Sequence, residues 1–287
     1  MGRIADRIPA HIIRTCRSAR DTKPVTLEFT AHNIRLDDGT CTRSTQEPSV
    51  ESDAWFVSAK RILDIAFPGD RRAIRVADLG CLEGGYAVEF ARMGFEVLGV
   101  EVRDSNFAAC QYVKSRTNLS NLTFVKDDAW NIASHGRFDA VFCSGLLYHF
   151  DRPKEFLSLV SSVTRKVAIF QTHFSDALRD GTTVQKFGLS GLEANEGLPG
   201  RWFGEFASDE AFEKREDFKW AAWENRRSFW IVREYLLQAL LDAGFDTVLE
   251  QFDGLGPDIA RSMLNGYYAT DSRGTFIGMK SGPEPQA

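Results

Sequence analysis

Short apolar runs alternate with amphipathic stretches through the middle of this chain of 287 residues. The apolar runs have the length and composition of buried strands, and they predict five of them. The predicted strands lie at 74–79, 96–100, 122–125, 138–143 and 167–171. Stretches with apolar positions at helical spacing predict helices at 85–93, 104–117 and 153–163. Such an alternation indicates a parallel sheet covered by helices on both faces.

The flanking regions differ in pattern from this central part. A short strand is predicted at 26–30, a turn at 36–40 and a helix at 53–66, while a helix at 229–243 and strands at 247–252 and 275–280 follow later. From 173 to about 228 the alternation of strands and helices stops, and this long segment is rich in tryptophan and phenylalanine. Such a segment indicates either a lid over a binding site or an added core layer. We therefore predict an N-terminal extension over 1–52 and one domain over 53–287, with an aromatic-rich insertion at about 174–228.

A glycine-rich turn follows the strand at 74–79 and opens the next helix, with the sequence DLGCLEGG. Gly80 and Gly84 permit positive φ and close approach of a ligand. A dinucleotide fingerprint would have glycine in place of Leu82, and Glu83 would set a negative charge near two phosphates. The turn therefore favours an amino acid carried on a sulfonium over the diphosphate of NAD.

Carboxylates follow the next two predicted strands. Glu101 ends the second strand, where a carboxylate can accept hydrogen bonds from both hydroxyls of a ribose. Asp127 and Asp128 follow the third strand, where a carboxylate can accept from the exocyclic amine of an adenine. We prefer Asp128 for this role, with Ala129 or Trp130 covering the ring. The alternative for both aspartates is ordinary turn chemistry.

Aromatic and histidine side chains follow the fourth and fifth predicted strands. Tyr148 and His149 should face the same cleft, and His173 lies just past the fifth strand. Histidine serves as a general base near neutral pH, so His149 is the first candidate and His173 the second. A packed aromatic residue and core histidines are the alternative. No tight histidine or cysteine spacing supports a metal site, and none is predicted.

Charge and cysteine content narrow the functional classes. The net charge of −5 disfavours nucleic acid, because duplex binding usually draws on a basic surface. The five cysteines are odd in number and far apart, as in a reduced cytoplasmic protein. No apolar run approaches the roughly 20 residues that span a bilayer, so no membrane association is expected.

Taken together, the motifs resemble those of class I S-adenosylmethionine-dependent methyltransferases. The resemblance rests on DLGCLEGG at 78–85, Glu101, Asp127-Asp128, FDAVFCSGLLYH at 138–149 and LLQALLDAGF at 236–245. It covers about 70–173 and 229–280, and Leu82 departs from the usual glycine. It implies an α/β fold with a seven-stranded, mostly parallel, doubly wound sheet whose last strand is antiparallel. The cofactor-binding residues that it implies are Asp78, Gly80, Cys81, Leu82, Gly84, Glu101, Val102, Asp127, Asp128, Ala129 and Ser144.

The expected activity is transfer of a methyl group from S-adenosylmethionine to a small-molecule acceptor, with oxygen favoured over nitrogen. Tyr148, His149 and His173 are the candidate catalytic residues, and a base is needed only if the acceptor must lose a proton. The alternatives are RNA or protein methylation, a non-catalytic protein that binds S-adenosylmethionine and, least favoured, an NAD-linked oxidoreductase. A homodimer is left open.

Overall fold

A seven-stranded sheet forms the centre of the protein. The computed structural model describes residues 27–177, 182–252, 260–261 and 272–282. The strands of the sheet are β1 (Arg75–Leu79), β2 (Glu96–Glu101), β3 (Leu122–Lys126), β4 (Phe138–Ser144), β5 (Thr164–His173), β9 (Thr247–Gln251) and β10 (Arg273–Met279). Their order is β3-β2-β1-β4-β5-β10-β9, and β10 runs antiparallel to both of its neighbours, while the other pairs are parallel. The predicted mostly parallel sheet with an antiparallel last strand is confirmed.

Helices cover both faces of this sheet, as predicted. The helices are α1 (Ala54–Ala66), α2 (Gly85–Arg92), α3 (Asp104–Ser115), α4 (Pro153–Val163) and α7 (Arg233–Asp242), with the short α5 (Thr182–Phe187) and α6 (Asp209–Glu213) between β5 and α7. Residues of α1, α2 and α3 bury apolar side chains in one core, which includes Phe56 and Phe90. Residues of α4 and α7 belong to the core of the other face, which includes Phe156 and Leu240. The sheet is therefore doubly wound.

Local chemistry explains where the first and fourth helices begin. The Asp53 carboxylate accepts hydrogen bonds from the backbone N–H groups of Trp55 and Phe56, so it satisfies donors that the first turn of α1 leaves free. Pro153 opens α4, where its missing N–H removes no helical bond. No helix within the described ranges is long and apolar enough to cross a membrane.

Two predicted elements are wrong. Residues 229–231 belong to strand β8 (Arg227–Ile231), so the helix predicted from 229 begins only at Arg233. Aromatic and β-branched residues such as Phe229 and Ile231 favour strands, and both are buried. The strand predicted at 26–30 is absent over the described residues 27–30, where the Thr30 N–H bonds to a side chain instead of a neighbouring strand. The turn at 36–40 is confirmed by the bond from the Gly39 N–H to the Leu36 carbonyl.

The insertion contains a second, smaller sheet. Strands β6 (Glu193–Asn195), β7 (Leu198–Gly204) and β8 pair antiparallel. The Phe229 N–H donates to the Phe150 carbonyl at 2.9 Å, and the Ser175 N–H donates to the Ile231 carbonyl at 2.9 Å. These bonds fix the small sheet beside the chain that leaves β4 and β5. The predicted division at residue 52 stays a prediction, since residues 1–26 lie outside the described residues.

Candidate active site

A cavity of about 320 Å³ opens where β1, β2, β3 and β4 end. Most of the predicted site residues line it, and they come from the turns after these strands. The lining includes Gly80, Leu82, Glu101, Val102, Asp127, Asp128, Ala129, Ser144, Tyr148 and His149. The predicted residues that do not line it are Asp78, Cys81, Gly84 and His173. The carboxyl ends of parallel strands form one edge, which is why residues distant in sequence meet there.

The turn after β1 adopts the left-handed backbone that its glycines suggested. Gly80 has φ 66° and Gly84 has φ 82°, and a Cβ atom on Gly84 would lie 2.5 Å from the Phe124 ring. Leu82 takes φ 50° although it is not glycine. Such a conformation costs a leucine about 1–2 kcal/mol. Leu82 thus adopts a left-handed conformation that glycine takes without this cost, and its N–H donates to Glu101 Oε2 at 2.9 Å.

Glu101 is held in place at the cavity wall by three donors. Its Oε2 accepts from the Leu82 N–H, while Oε1 accepts from the Arg103 N–H at 2.9 Å and from Asn106 Nδ2 at 3.3 Å. Burial raises the pKa of this carboxyl above its usual range. Each carboxylate oxygen has two lone pairs, so the side chain keeps acceptor capacity for a ligand hydroxyl.

Glu83 and His32 close the N-terminal end of α2. The Glu83 carboxylate is fully buried and accepts hydrogen bonds from the backbone N–H groups of Thr30, Ala31 and His32. Lys219 Nζ pairs with the same carboxylate. The Gly85 N–H, in the first turn of α2, donates to His32 Nδ1 at 3.1 Å.

This arrangement bears directly on the choice of ligand. A dinucleotide would place its diphosphate on the N–H groups at the start of this helix. Here the Gly85 N–H is already bonded to His32, and Glu83 lies beside it as a buried carboxylate. Glu83 does not line the cavity. Its carboxylate holds the backbone of residues 30–32 against the turn. The turn therefore fits a ligand that has no diphosphate.

The two aspartates after β3 have different surroundings. Asp127 accepts from Asn131 Nδ2 at 2.7 Å and pairs with His135 Nε2 at 2.8 Å. Within the described residues, Asp128 accepts one hydrogen bond, from the Trp130 N–H at 2.9 Å. Burial raises the pKa of Asp128. Both line the cavity, but Asp128 retains more capacity to accept from a ligand amine.

His149 faces the cavity and is paired with a carboxylate on its far side. It lies in a 3-10 helix, Leu147–His149, directly after β4. Its Nδ1 lies 2.9 Å from Glu205 Oε1. The ring of Tyr148 lies 4.2 Å from the His149 ring, between centroids. Because Nδ1 is engaged by Glu205, Nε2 is the nitrogen that could accept a proton from a substrate, as a general base requires.

The remaining predicted residues lie behind the cavity wall. The His173 ring stacks on the Trp230 ring with 4.8 Å between centroids, and its centroid lies 4.6 Å from that of Tyr148, which lines the cavity. Burial lowers the pKa of His173 to about 3, so its imidazole is neutral near neutral pH. Asp78 is buried beneath the turn, and burial raises its pKa to about 8.

A segment of the insertion lines the cavity, as the lid interpretation of the insertion suggested, but none of its residues was predicted as a site residue. We call residues 215–225 the capping segment. The Arg103 guanidinium donates to the carbonyls of Arg215, Ala221 and Ala222, and the Ser105 N–H donates to Glu216 Oε1 at 2.9 Å. Lys219, Trp220, Ala221, Ala222, Trp223, Glu224 and Asn225 line the cavity. Their only signal in the sequence was the aromatic content of the insertion.

Part of this chain is similar in sequence to known proteins. Residues 76–166 match the methyltransferase domain family. A Geobacillus sp. (strain WCH70) protein that bears a methyltransferase name is 32% identical over 100 residues, which are 33% of this chain and 38% of that protein. The chain therefore matches a little over a third of the length of this curated relative.

Solved structures with similar folds include an N-methyltransferase and a domain crystallised in the presence of a sugar. The N-terminal domain of EvdMO1, crystallised with S-adenosylhomocysteine and D-fucose, is 23% identical with a TM-score of 0.60, over 87% of this chain and 90% of that one. A Burkholderia thailandensis 1,6-didemethyltoxoflavin-N1-methyltransferase, with S-adenosylhomocysteine bound, is 18% identical with a TM-score of 0.51, over 80% of each chain. At identities this low, the structural likeness establishes a shared fold and nothing more.

Proposed function

We propose that this chain, whose residues 76–166 are a methyltransferase domain, transfers a methyl group from S-adenosylmethionine to a small molecule. One observation carries the proposal. Glu101 and Asp128 face a single cavity beside a helix N-terminus that His32 and Glu83 already occupy. A nucleoside fits between such carboxylates, whereas a diphosphate would find the Gly85 N–H at this turn already bonded to His32.

The cavity residues divide into roles that match the parts of the cofactor. Glu101 would accept from the ribose hydroxyls and Asp128 from the adenine amine, with Val102 and Ala129 against the base. Gly80, Leu82 and Ser144 would lie along the methionine part. When bound, S-adenosylmethionine supplies a methyl group made electrophilic by its sulfonium. Much of the rate increase would come from aligning the acceptor with it in a closed cavity.

Oxygen is the proposed site of methylation, and His149 is the proposed base. The acceptor hydroxyl would give its proton to His149 Nε2 while its oxygen forms a bond to the methyl carbon and the carbon–sulfur bond breaks. The Glu205 carboxylate on Nδ1 would balance the positive charge that the imidazole gains. An amine acceptor that is already neutral needs no such pair, so the pair favours a hydroxyl.

His149 is preferred over His173 because it alone of the two lines the cavity. Tyr148 would contact the acceptor as part of the wall. The acidic charge of the chain continues to disfavour RNA as acceptor. The four cysteines within the described residues are free thiols, which supports the cytoplasm as the proposed location.

A transfer assay tests this proposal. The full chain would be incubated with S-adenosylmethionine labelled in its methyl group and with four separate acceptor pools: phenols and sugars, heterocyclic amines, total RNA, and mixed protein. We expect label in the hydroxyl-bearing small molecules, and its loss in a Glu101→Ala control. Label in RNA or protein alone would overturn the proposal, and binding without any transfer would favour a non-catalytic protein.

A further inference from the structure

We propose that Glu205 is a positioning residue that fixes the tautomer of His149. Because Glu205 also bonds to the capping segment, this tautomer depends on the segment being docked. The inference concerns the proposed active site, and its catalytic consequence rests on the proposed function. Glu205 follows β7 in the insertion, 56 residues after His149 in sequence. The Glu205 side chain is only 1% exposed, while that of His149 is 12% exposed.

The Glu205 carboxylate accepts two hydrogen bonds of fixed direction and shares a third with His149. Oε1 lies 2.9 Å from His149 Nδ1 and accepts from the Ser228 hydroxyl at 2.6 Å. Oε2 accepts from the Ala222 backbone N–H at 3.0 Å. An ionised carboxylate has no hydrogen to donate. His149 Nδ1 must therefore carry the proton of the bond that it shares with Oε1.

This constraint determines which nitrogen of His149 can accept a proton. In a neutral imidazole one ring nitrogen is a donor and the other an acceptor. With Nδ1 protonated and bound to Glu205, Nε2 keeps its lone pair, and His149 lines the cavity. His149 is also held through its backbone, because its backbone carbonyl accepts a hydrogen bond from Asn225 Nδ2 at 2.9 Å.

The capping segment shares this carboxylate. Ala222 lies in that segment, and its N–H bonds to Oε2 while its carbonyl accepts from Arg103. Arg103 in turn donates its backbone N–H to Glu101, the proposed ribose ligand. A continuous chain of hydrogen bonds thus connects the cofactor side of the cavity to His149. If the capping segment left its place, Glu205 would lose the hydrogen bond from the Ala222 N–H, and its carboxylate would hold His149 less firmly.

Replacement of Glu205 by glutamine should reverse the tautomer with little change of shape. The Ala222 N–H can only donate, so it requires the amide oxygen at the Oε2 position. The amide NH₂ then occupies the Oε1 position and donates to His149 Nδ1, which must lose its proton. The Ser228 hydroxyl can turn and accept. In Glu205→Gln, the proton should therefore move to His149 Nε2, away from the orientation of a base.

Nitrogen-15 NMR of the full chain, labelled at histidine, reads this tautomer directly and needs no substrate. Spectra would be followed as the pH is raised until the signals stop changing, and a His149→Gln variant would assign the resonance. We expect Nδ1–H in the wild type and Nε2–H in Glu205→Gln. The matched control is Ser228→Ala, which removes a neighbour of the same oxygen and should keep Nδ1–H.

The wild-type spectrum alone can overturn the proposal, even if Glu205→Gln fails to fold. Nε2–H in the wild type would contradict it, as would an unchanged tautomer in a folded Glu205→Gln. Arg103→Met should give a mixture of tautomers, and an unmixed wild-type signal there would refute the dependence on the capping segment. Titration with S-adenosylhomocysteine should give the same affinity within about twofold for wild type and Glu205→Gln.

Kinetics supply the catalytic readout. With a hydroxyl acceptor from the transfer assay, Glu205→Gln should lower kcat by about 10²–10⁴-fold and leave KM within about twofold, because base catalysis is lost and binding is not. A rise in KM with kcat unchanged would contradict the assigned role. If S-adenosylhomocysteine does not bind at all, the proposed function fails while the tautomer result remains informative.

Discussion

The two sides of the cavity are built in different ways. On the strand side, Glu101 is held by N–H groups of Leu82 and Arg103, which belong to adjacent turns of the same sheet edge. On the insertion side, Glu205 contacts a residue 56 positions away, and Lys219 contacts one 136 positions away. The strand side is local and fits a nucleoside, whereas the insertion side depends on the tertiary fold and surrounds His149. Cofactor binding and turnover should therefore be separable by mutation.

The largest expected effect tests that separation from the insertion side. His149→Ala should lower turnover by about 10²–10⁴-fold, because general-base catalysis contributes that much. Affinity for S-adenosylhomocysteine should stay within about twofold, since the strand side is untouched. Transfer of labelled methyl and calorimetry on the same preparation would measure both. Unchanged turnover would eliminate His149 as the base.

The converse change is on the strand side. Glu101→Ala should weaken binding of S-adenosylhomocysteine by about 100-fold, because hydrogen bonds to a charged group contribute about 1.5–3 kcal/mol each. Glu96→Ala, at the exposed opposite end of β2, is the matched control and should bind as the wild type does. Calorimetric titration of both variants gives the comparison. Equal affinities would remove Glu101 from the ribose site.

A smaller effect is expected where the two sides meet. Lys219→Met leaves the Glu83 carboxylate buried without its cation, although the N–H donors of residues 30–32 remain. We expect the free energy of unfolding to fall by about 1–3 kcal/mol, the cost of an incompletely compensated buried group. Lys214→Met, which loses an exposed pair with Glu210, should change it by less than about 0.5 kcal/mol. Urea unfolding measures both, and equal stabilities would show that Lys219 is not structural.

A further effect concerns the pH dependence of stability. The pKa of His173 in the folded chain is about 3, below the ordinary value of 6.5, so between these values the unfolded chain binds a proton that the folded chain does not. Stability from this group is complete above about pH 6.5 and is lost as the pH falls toward 3. His173→Gln should therefore flatten the decline of unfolding free energy between pH 7 and about 4. An unchanged slope in urea unfolding would contradict the buried neutral state.

Sequence patterns identified what is local. The strand ends, the glycine turn, Glu101 and Asp128 follow short-range rules, and the structure brings them to one cavity. The sequence marked Glu83 through its charge alone, because a pattern does not show which way a turn side chain points. Its carboxylate accepts hydrogen bonds from the backbone of residues 30–32 and does not line the cavity.

Elements that depend on distant partners were not identifiable. Residues 229–231 form an apolar run that suits a helix or a strand, and pairing of β8 with β7 decides between them. Glu205 lies in a stretch of mixed polarity with no periodic signal, and only the fold brings it to His149. Arg103 was passed over although it follows Glu101 by two positions, because its partners lie in the capping segment.

The most direct test of the account is calorimetric titration of the full chain with S-adenosylhomocysteine, with NADH in parallel. The occupied N-terminus of α2 and the carboxylates Glu101 and Asp128 predict micromolar binding of S-adenosylhomocysteine and none of NADH. Binding of NADH alone would contradict the account. Binding of neither ligand would do so as well, and Leu82, with its side chain at the turn, would be the first residue to replace by glycine.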